Sequence, residues 1–133
     1  MKNSPGAKDS RIEIAAELKS RMNCSQAVVM AYQEELPFDA QALMSLCAGF
    51  GSGMGTMDGT CGALVGAIMV AGLMTKGAGT IGMSRKILTR FRELSGSIVC
   101  RELKGIDSGM MLCPCVDCVR NAVMALEELR NAN

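Results

Sequence analysis

Thr60-Cys61-Gly62-Ala63-Leu64-Val65-Gly66-Ala67-Ile68-Met69-Val70-Ala71-Gly72-Leu73-Met74 carries no charge and is apolar on every side of a helix. Its apolar part, Ala63 to Met74, is shorter than the roughly 20 residues that cross a bilayer. The run therefore reads as a buried core helix from Cys61 to about Met74, capped by Thr60, and not as a membrane span. Gly62 and Gly66, four apart, mark a face where other helices pack closely, so this segment is expected to be the central element.

Helical spacing continues in both directions. Upstream, Ile12, Ala15, Leu18 and Met22 form one stripe, and Ala27, Val28, Ala31 and Glu35 form the next. Asp39 opens a third helix with Leu43, Met44 and Cys47 on its apolar side. It runs into a cluster, Gly49, Gly51, Gly53 and Gly55, suited to neither helix nor strand interior. Downstream, Ile87, Leu88, Phe91 and Leu94 lie opposite Arg85, Lys86, Arg90 and Arg92. A short helix follows Ser97, then a loop from Lys104 to Leu112. Val116, Val119, Ala122, Val123, Leu126 and Leu129 close the chain with the cleanest amphipathic pattern. No segment alternates with period two over a strand's length. The prediction is an all-α fold: a compact bundle of about five to six helices, with a flexible tail over 1–10 and one helical redox or metal-binding domain over 11–133.

Composition narrows the function. The chain has 133 residues, 49% hydrophobic, 20% charged and net charge +1, which suits a single domain. Balanced charge and only Tyr32, Phe38, Phe50 and Phe91 as aromatics leave no footprint for nucleic acid. Glu34, Glu35, Glu127 and Glu128 read as solvated surface, not as a paired-carboxylate site. Seven cysteines and no histidine exclude every mechanism that needs an imidazole and point to sulfur chemistry. The polar N-terminus lacks the apolar core of a secretory signal, so a cytoplasmic location is expected. There, an odd number of cysteines favours metal binding or redox thiols over structural disulfides.

The cysteines fall at helix starts. Asn23 with Gln26 reads as a capping box that puts Cys24 at the first helical position, and Thr60 does the same for Cys61. Ser97 with Glu102 places Cys100 in a first turn, and Pro114 places Cys115 at the start of the last helix. Free N–H groups and the positive helix end lower a thiol's pKa there, so Cys24, Cys61, Cys100 and Cys115 are the candidate metal or cofactor ligands. Gly53, Gly55 and Gly62 are expected to bring backbone N–H groups to anionic sulfur. Cys47, on an apolar stripe, reads as packing. Cys115-x-x-Cys118 lacks the following histidine of c-type haem attachment and the setting of thioredoxin, and Cys113, Cys115 and Cys118 miss the ferredoxin run. Met54, Met57, Met110 and Met111 offer soft-metal donors beside the cysteines.

Asn23-Cys24-Ser25-Gln26-Ala27-Val28, Gly49-Phe50-Gly51-Ser52-Gly53-Met54-Gly55, Thr60-Cys61-Gly62-Ala63-Leu64-Val65-Gly66 with Gly72, Cys100-Arg101-Glu102-Leu103 and Cys115-x-x-x-Val119-x-x-Ala122 together resemble the C-GCAxxG-C-C family of redox-active cysteine proteins over about Asn23 to Leu129. The resemblance implies four characteristic cysteines at Cys24, Cys61, Cys100 and Cys115. The family is similar to the non-haem part of split-Soret cytochromes, where an iron–sulfur centre has been proposed. Its members are often encoded near transporters, which implies association with a transporter system. Cys47, Cys113 and Cys118 depart from the pattern.

The leading expectation is an iron–sulfur cluster of the [2Fe-2S] type on Cys24, Cys61, Cys100 and Cys115, for electron transfer or redox sensing. The first alternative is a thiol–disulfide oxidoreductase or thiol sensor in which Cys115 and Cys118, or Cys113, carry the exchange. The second is a structural zinc (Zn) or soft-metal site. The expected partner is a redox protein, with a homodimer as a further alternative.

Overall fold

The computed structural model describes residues 7–132. Among these are seven right-handed α-helices and no strand. They are α1 (Ala7–Leu18), α2 (Cys24–Met30), α3 (Ala40–Cys47), α4 (Gly62–Thr75), α5 (Thr80–Ser95), α6 (Cys100–Lys104) and α7 (Cys115–Asn131). The count is seven beside the expected five to six, and the short helix expected after Ser97 is α6, five residues long. Helix α1 begins at Ala7, inside the stretch read as a tail, and the remainder of that stretch lies outside the described residues.

Helix α4 is the central element, packed against α2, α5 and α7. Ala63, Leu64, Ala67, Val70 and Ala71 are fully buried. Its two early glycines admit the neighbours. A Cβ on Gly66 would stand 2.9 Å from the Ser25 carbonyl oxygen, and one on Gly62 would stand 2.5 Å from that of Phe50. Only hydrogen fits, so α2 lies directly on α4. Helix α7 supplies the other wall through Val119, Ala122, Val123 and Leu126, all fully buried, against α1 and α5. Each Val or Leu so buried contributes about 1.5–3 kcal/mol of transfer free energy. Ile12 and Ala15 of α1, and Ile87 and Phe91 of α5, complete the core as their stripes predict. Cys47 is fully buried there, its thiol donating to the Leu43 carbonyl at 2.9 Å, so packing describes it.

Two local expectations need correction. Thr60 does not cap α4: it bridges to Val99, and the Cys61 N–H donates to the Ile98 carbonyl at 2.7 Å. This pairing draws Thr60 out of the capping position and leaves Cys61 itself as the N-cap. Glu127 is not solvated surface. It is buried at 7% exposure and accepts the Tyr32 hydroxyl at 2.7 Å, because α2 brings a buried phenol to the last turns of α7.

Among the described residues no helix is long and apolar enough to cross a membrane.

Candidate functional site

Helix starts build the site. The Asn23 side chain accepts from the Gln26 N–H at 3.0 Å and the Gln26 side chain accepts from the Asn23 N–H at 3.1 Å, the capping box that sets Cys24 at the head of α2. The same two side chains reach α3: Asn23 Nδ2 donates to the Ala48 carbonyl and Gln26 Nε2 to the Met44 carbonyl, each at 3.1 Å. Cys100 and Cys115 open α6 and α7 after Val99 and Pro114.

Between α3 and α4 the glycine cluster forms a left-handed turn over Gly51–Met54, with Ser52 at φ 52, Gly53 at φ 57 and Met54 at φ 61. A non-glycine residue in that conformation costs about 1–2 kcal/mol, so the surroundings must hold it. They do so by hydrogen bonds from Gly59 N–H to the Gly53 carbonyl (3.1 Å), Cys100 N–H to Gly59 (3.1 Å) and Arg101 N–H to Met57 (2.7 Å). A Cβ on Gly53 would meet Cys100 Cβ at 2.7 Å, which shows how closely this turn lies on α6.

Cys24, Cys61, Cys100 and Cys115 line one cavity of about 160 Å³ together with Lys19, Lys104, Met57, Gly53 and Gly62. The four dispersed cysteines singled out in the sequence thus meet around a common space. Gly55 does not join them; it is exposed at the end of the left-handed turn. Met54, Met110 and Met111 are exposed, which leaves Met57 alone of the four candidate methionines on the cavity. Six cysteines are buried, and Cys115 is the one partly open to solvent.

The thiols are arranged in pairs across helices. Hydrogen bonding from Cys24 is the main cause that holds Cys115 down at about 5, with help from the Lys104 ammonium. The same contact, with burial, pushes Cys24 up. Cys61 is held at about 7, chiefly by Cys118, then by the N–H groups of Ala63 and Leu64 and the charge of Lys104. Cys118 is pushed up by the contact with Cys61 and by burial. Burial also raises Cys100. The helix-start N–H groups thus help to lower Cys61, whereas Cys115 is held down by Cys24 and Lys104, and at Cys24 and Cys100 burial and a neighbouring sulfur outweigh the helix end.

Cys115 and Cys118, neighbours in a CxxC, have different thiol partners: Cys24 for Cys115, and Cys61 with Cys113 for Cys118. Lys104 ties the pairs together: its Nζ donates to the Cys113 carbonyl at 2.9 Å and to Cys118 Sγ at 3.8 Å while facing Cys115. Burial opposes its charge, but the surrounding sulfurs raise its pKa and keep it an ammonium. Nothing in the sequence singled out Lys104, because its position among sulfurs depends on how α6 meets α7. Cys113 is buried beside them, its sulfur 3.7 Å from Asn121 Nδ2, and does not line the cavity.

Among the described residues no three Cys, Asp or Glu side chains are gathered as ligands of one metal ion, so the donor set of a single zinc is not assembled. A two-iron cluster asks for two thiolates per iron. Four thiols line the one cavity with Lys19 and Lys104.

No curated protein and no solved structure matches this chain. The family model described as Putative redox-active protein (C_GCAxxG_C_C) matches residues 22–129, which takes in all four cavity cysteines, the left-handed turn and both thiol pairs. The chain belongs to the C_GCAxxG_C_C family of redox-active proteins.

Proposed function

We propose that the protein is a thiol–disulfide redox protein in which Cys115 is the attacking thiolate and Cys24 the resolving thiol. The observation that carries this reading is the pairing of the one partly open cysteine with a buried thiol across the cavity, beside the Lys104 ammonium. At neutral pH a thiol held at about 5 is a thiolate, the form that attacks disulfides.

The Cys115 thiolate attacks one sulfur of an external disulfide, forming a mixed disulfide and expelling the other half as a thiolate. Cys24 then attacks the Cys115 sulfur. Its proton goes to the expelled thiolate, the second half of the substrate leaves, and a Cys24–Cys115 disulfide remains. Two electrons have passed from the protein to the substrate. An aryl disulfide that releases a coloured thiolate tests this: quenched early at pH 6 and mapped by mass spectrometry, the adduct is expected on Cys115. A first adduct on any other cysteine overturns the assignment.

A second reading is a [2Fe-2S] cluster on Cys24, Cys61, Cys100 and Cys115, favoured by the meeting of these four, from four helix starts, on one cavity with two lysines. Such a cluster would supply one-electron transfer, with Lys19 and Lys104 offsetting its charge. Iron and acid-labile sulfide analysis after anaerobic purification separates the readings. A colourless, iron-free protein after cluster reconstitution removes the second.

A further inference from the structure

Cys61 and Cys118 make a second pair that the exchange at Cys115 does not use. Cys118 is fully buried and Cys61 is 3% exposed, so no external disulfide reaches either sulfur. Cys61 nevertheless lines the cavity shared by Cys24 and Cys115. Cys118 stands behind it, within hydrogen-bonding reach of the Cys61 sulfur and 3.6 Å from the Cys113 carbonyl. Lys104 reaches both pairs, lining the cavity beside Cys115 and placing its Nζ 3.8 Å from Cys118 Sγ. A buried dithiol that opens on a cavity shared with Cys24 and Cys115 has that pair within its reach as a redox partner.

We propose that Cys61 and Cys118 form an internal dithiol that takes over the disulfide made at Cys24 and Cys115, so that the protein stores two disulfides and presents a fresh Cys115 thiolate after the first turnover. The inference rests on the assignment of Cys115 and Cys24 as the external pair. The steps balance. The Cys61 thiolate attacks the Cys24 sulfur of the Cys24–Cys115 disulfide, forming a Cys24–Cys61 bond and releasing Cys115 as thiolate. Cys115 is the better leaving group because the less basic sulfur departs faster. Cys118 then attacks the Cys61 sulfur, forming Cys61–Cys118, and its proton passes to the departing Cys24. Two electrons move from the inner pair to the outer pair. The thiolate charge moves from Cys61 to Cys115.

Cys61 is suited to begin this transfer, since contact with Cys118 and with the N–H groups at the head of α4 keeps it near 7, about half thiolate at neutral pH. Cys61 and Cys24, the attacking and attacked sulfurs, line the same cavity.

The test is a titration of the full-length, fully reduced protein with the aryl disulfide, followed by disulfide mapping. After one equivalent the expected product is Cys61–Cys118 with Cys24 and Cys115 again free, and after two equivalents both disulfides. Cys118→Ala should halve the capacity to one equivalent and retain Cys24–Cys115, with circular dichroism to check that it is folded. Wild-type protein that stops at one equivalent with only Cys24–Cys115 overturns the relay and leaves the external reaction standing. Absence of an early Cys115 adduct takes down both. Mapping of the wild-type chain decides the matter even if the variant does not fold.

Discussion

The two ends of α7 hold the same kind of arrangement built from different atoms. At its C-terminal end the Tyr32 hydroxyl donates to buried Glu127, with Arg130 Nη1 on the same carboxylate oxygen at 3.0 Å and the Arg11 guanidinium 4.4 Å from the Tyr32 ring centroid. Arg130 and Arg11 also hold Glu35, whose carboxyl lies below its usual range despite partial burial. At its N-terminal end Cys24 meets Cys115 and Cys118 meets Cys61, with Lys104 as the cation. Each end buries an acid with a proton donor and a positive charge. Anionic sulfur at the helix start and Arg130 at its last turn also both suit the helix dipole. The oxygen cluster has no further chemistry available, whereas two adjacent thiols can exchange their protons and two electrons for a bond. Left-handed residues occur at both ends: in the turn from Ser52 to Gly55 and at Met57 near the sulfurs, and at Lys76, which lines a cavity with Glu35 and Arg130. In the proposed function one end of the helix is a strut and the other the reactive site.

The sharpest way to break this comparison is Cys115→Ser. A thiol near 5 is almost fully ionised at pH 6, and the next most acidic, buried Cys61 near 7, is ionised by about a tenth, so alkylation at pH 6 should fall by about tenfold or more. The variant should also flatten a pH dependence of stability. Between about 5 and 8.5 the folded Cys24–Cys115 pair holds one proton where the unfolded chain holds two, so stability rises with pH across that window and is lost as pH falls through about 5. Above about 8.5 the raised Cys24 keeps a proton that the unfolded chain sheds, and the sign reverses. Thermal melts from pH 5 to 10 read both limbs; a flat wild-type profile contradicts the pairing.

Tyr32→Phe attacks the opposite end. It removes the donor to buried Glu127 and should cost about 1–3 kcal/mol in urea unfolding while leaving the alkylation rate at pH 6 unchanged. A change in thiol reactivity would show that the two ends are not independent. Gly53→Ala is expected to cost about 1–2 kcal/mol from its left-handed backbone alone. The added methyl also presses on Cys100, so this variant, unlike Tyr32→Phe, should alter thiol reactivity as well as the melting temperature. Lys104→Met gives the smallest effect: loss of its charge should raise Cys115 and slow alkylation at pH 5 by roughly tenfold or less, about one pKa unit. An unchanged rate would remove Lys104 from the site.

The parts of this fold legible in the sequence are those set by neighbours along the chain. The Asn23–Gln26 box, the Asp39 side chain accepting from Ala42 N–H, and the stripes of α5 and α7 need only local spacing, and each is found where expected. The gathering of Cys24, Cys61, Cys100 and Cys115 was legible indirectly, through their common position at helix starts and the motif that contains them. Misreadings came from contacts between residues far apart. Thr60 lost its cap to a bridge with Val99, Glu127 lost its solvent to Tyr32, and Cys24 lost its low pKa to Cys115.

The sequence by itself determined the all-α class, the central role of the charge-free helix and the sulfur character of the chemistry, because periodicity, capping and composition act over a few residues or over the whole chain at once. Only the tertiary structure decided which cysteine is open, which sulfur faces which, and that Lys104 stands between the two pairs. Burial and proton sharing depend on which helix ends meet, and residues such as Cys24 and Cys115, 91 positions apart in the chain, meet only once α2 and α7 have packed.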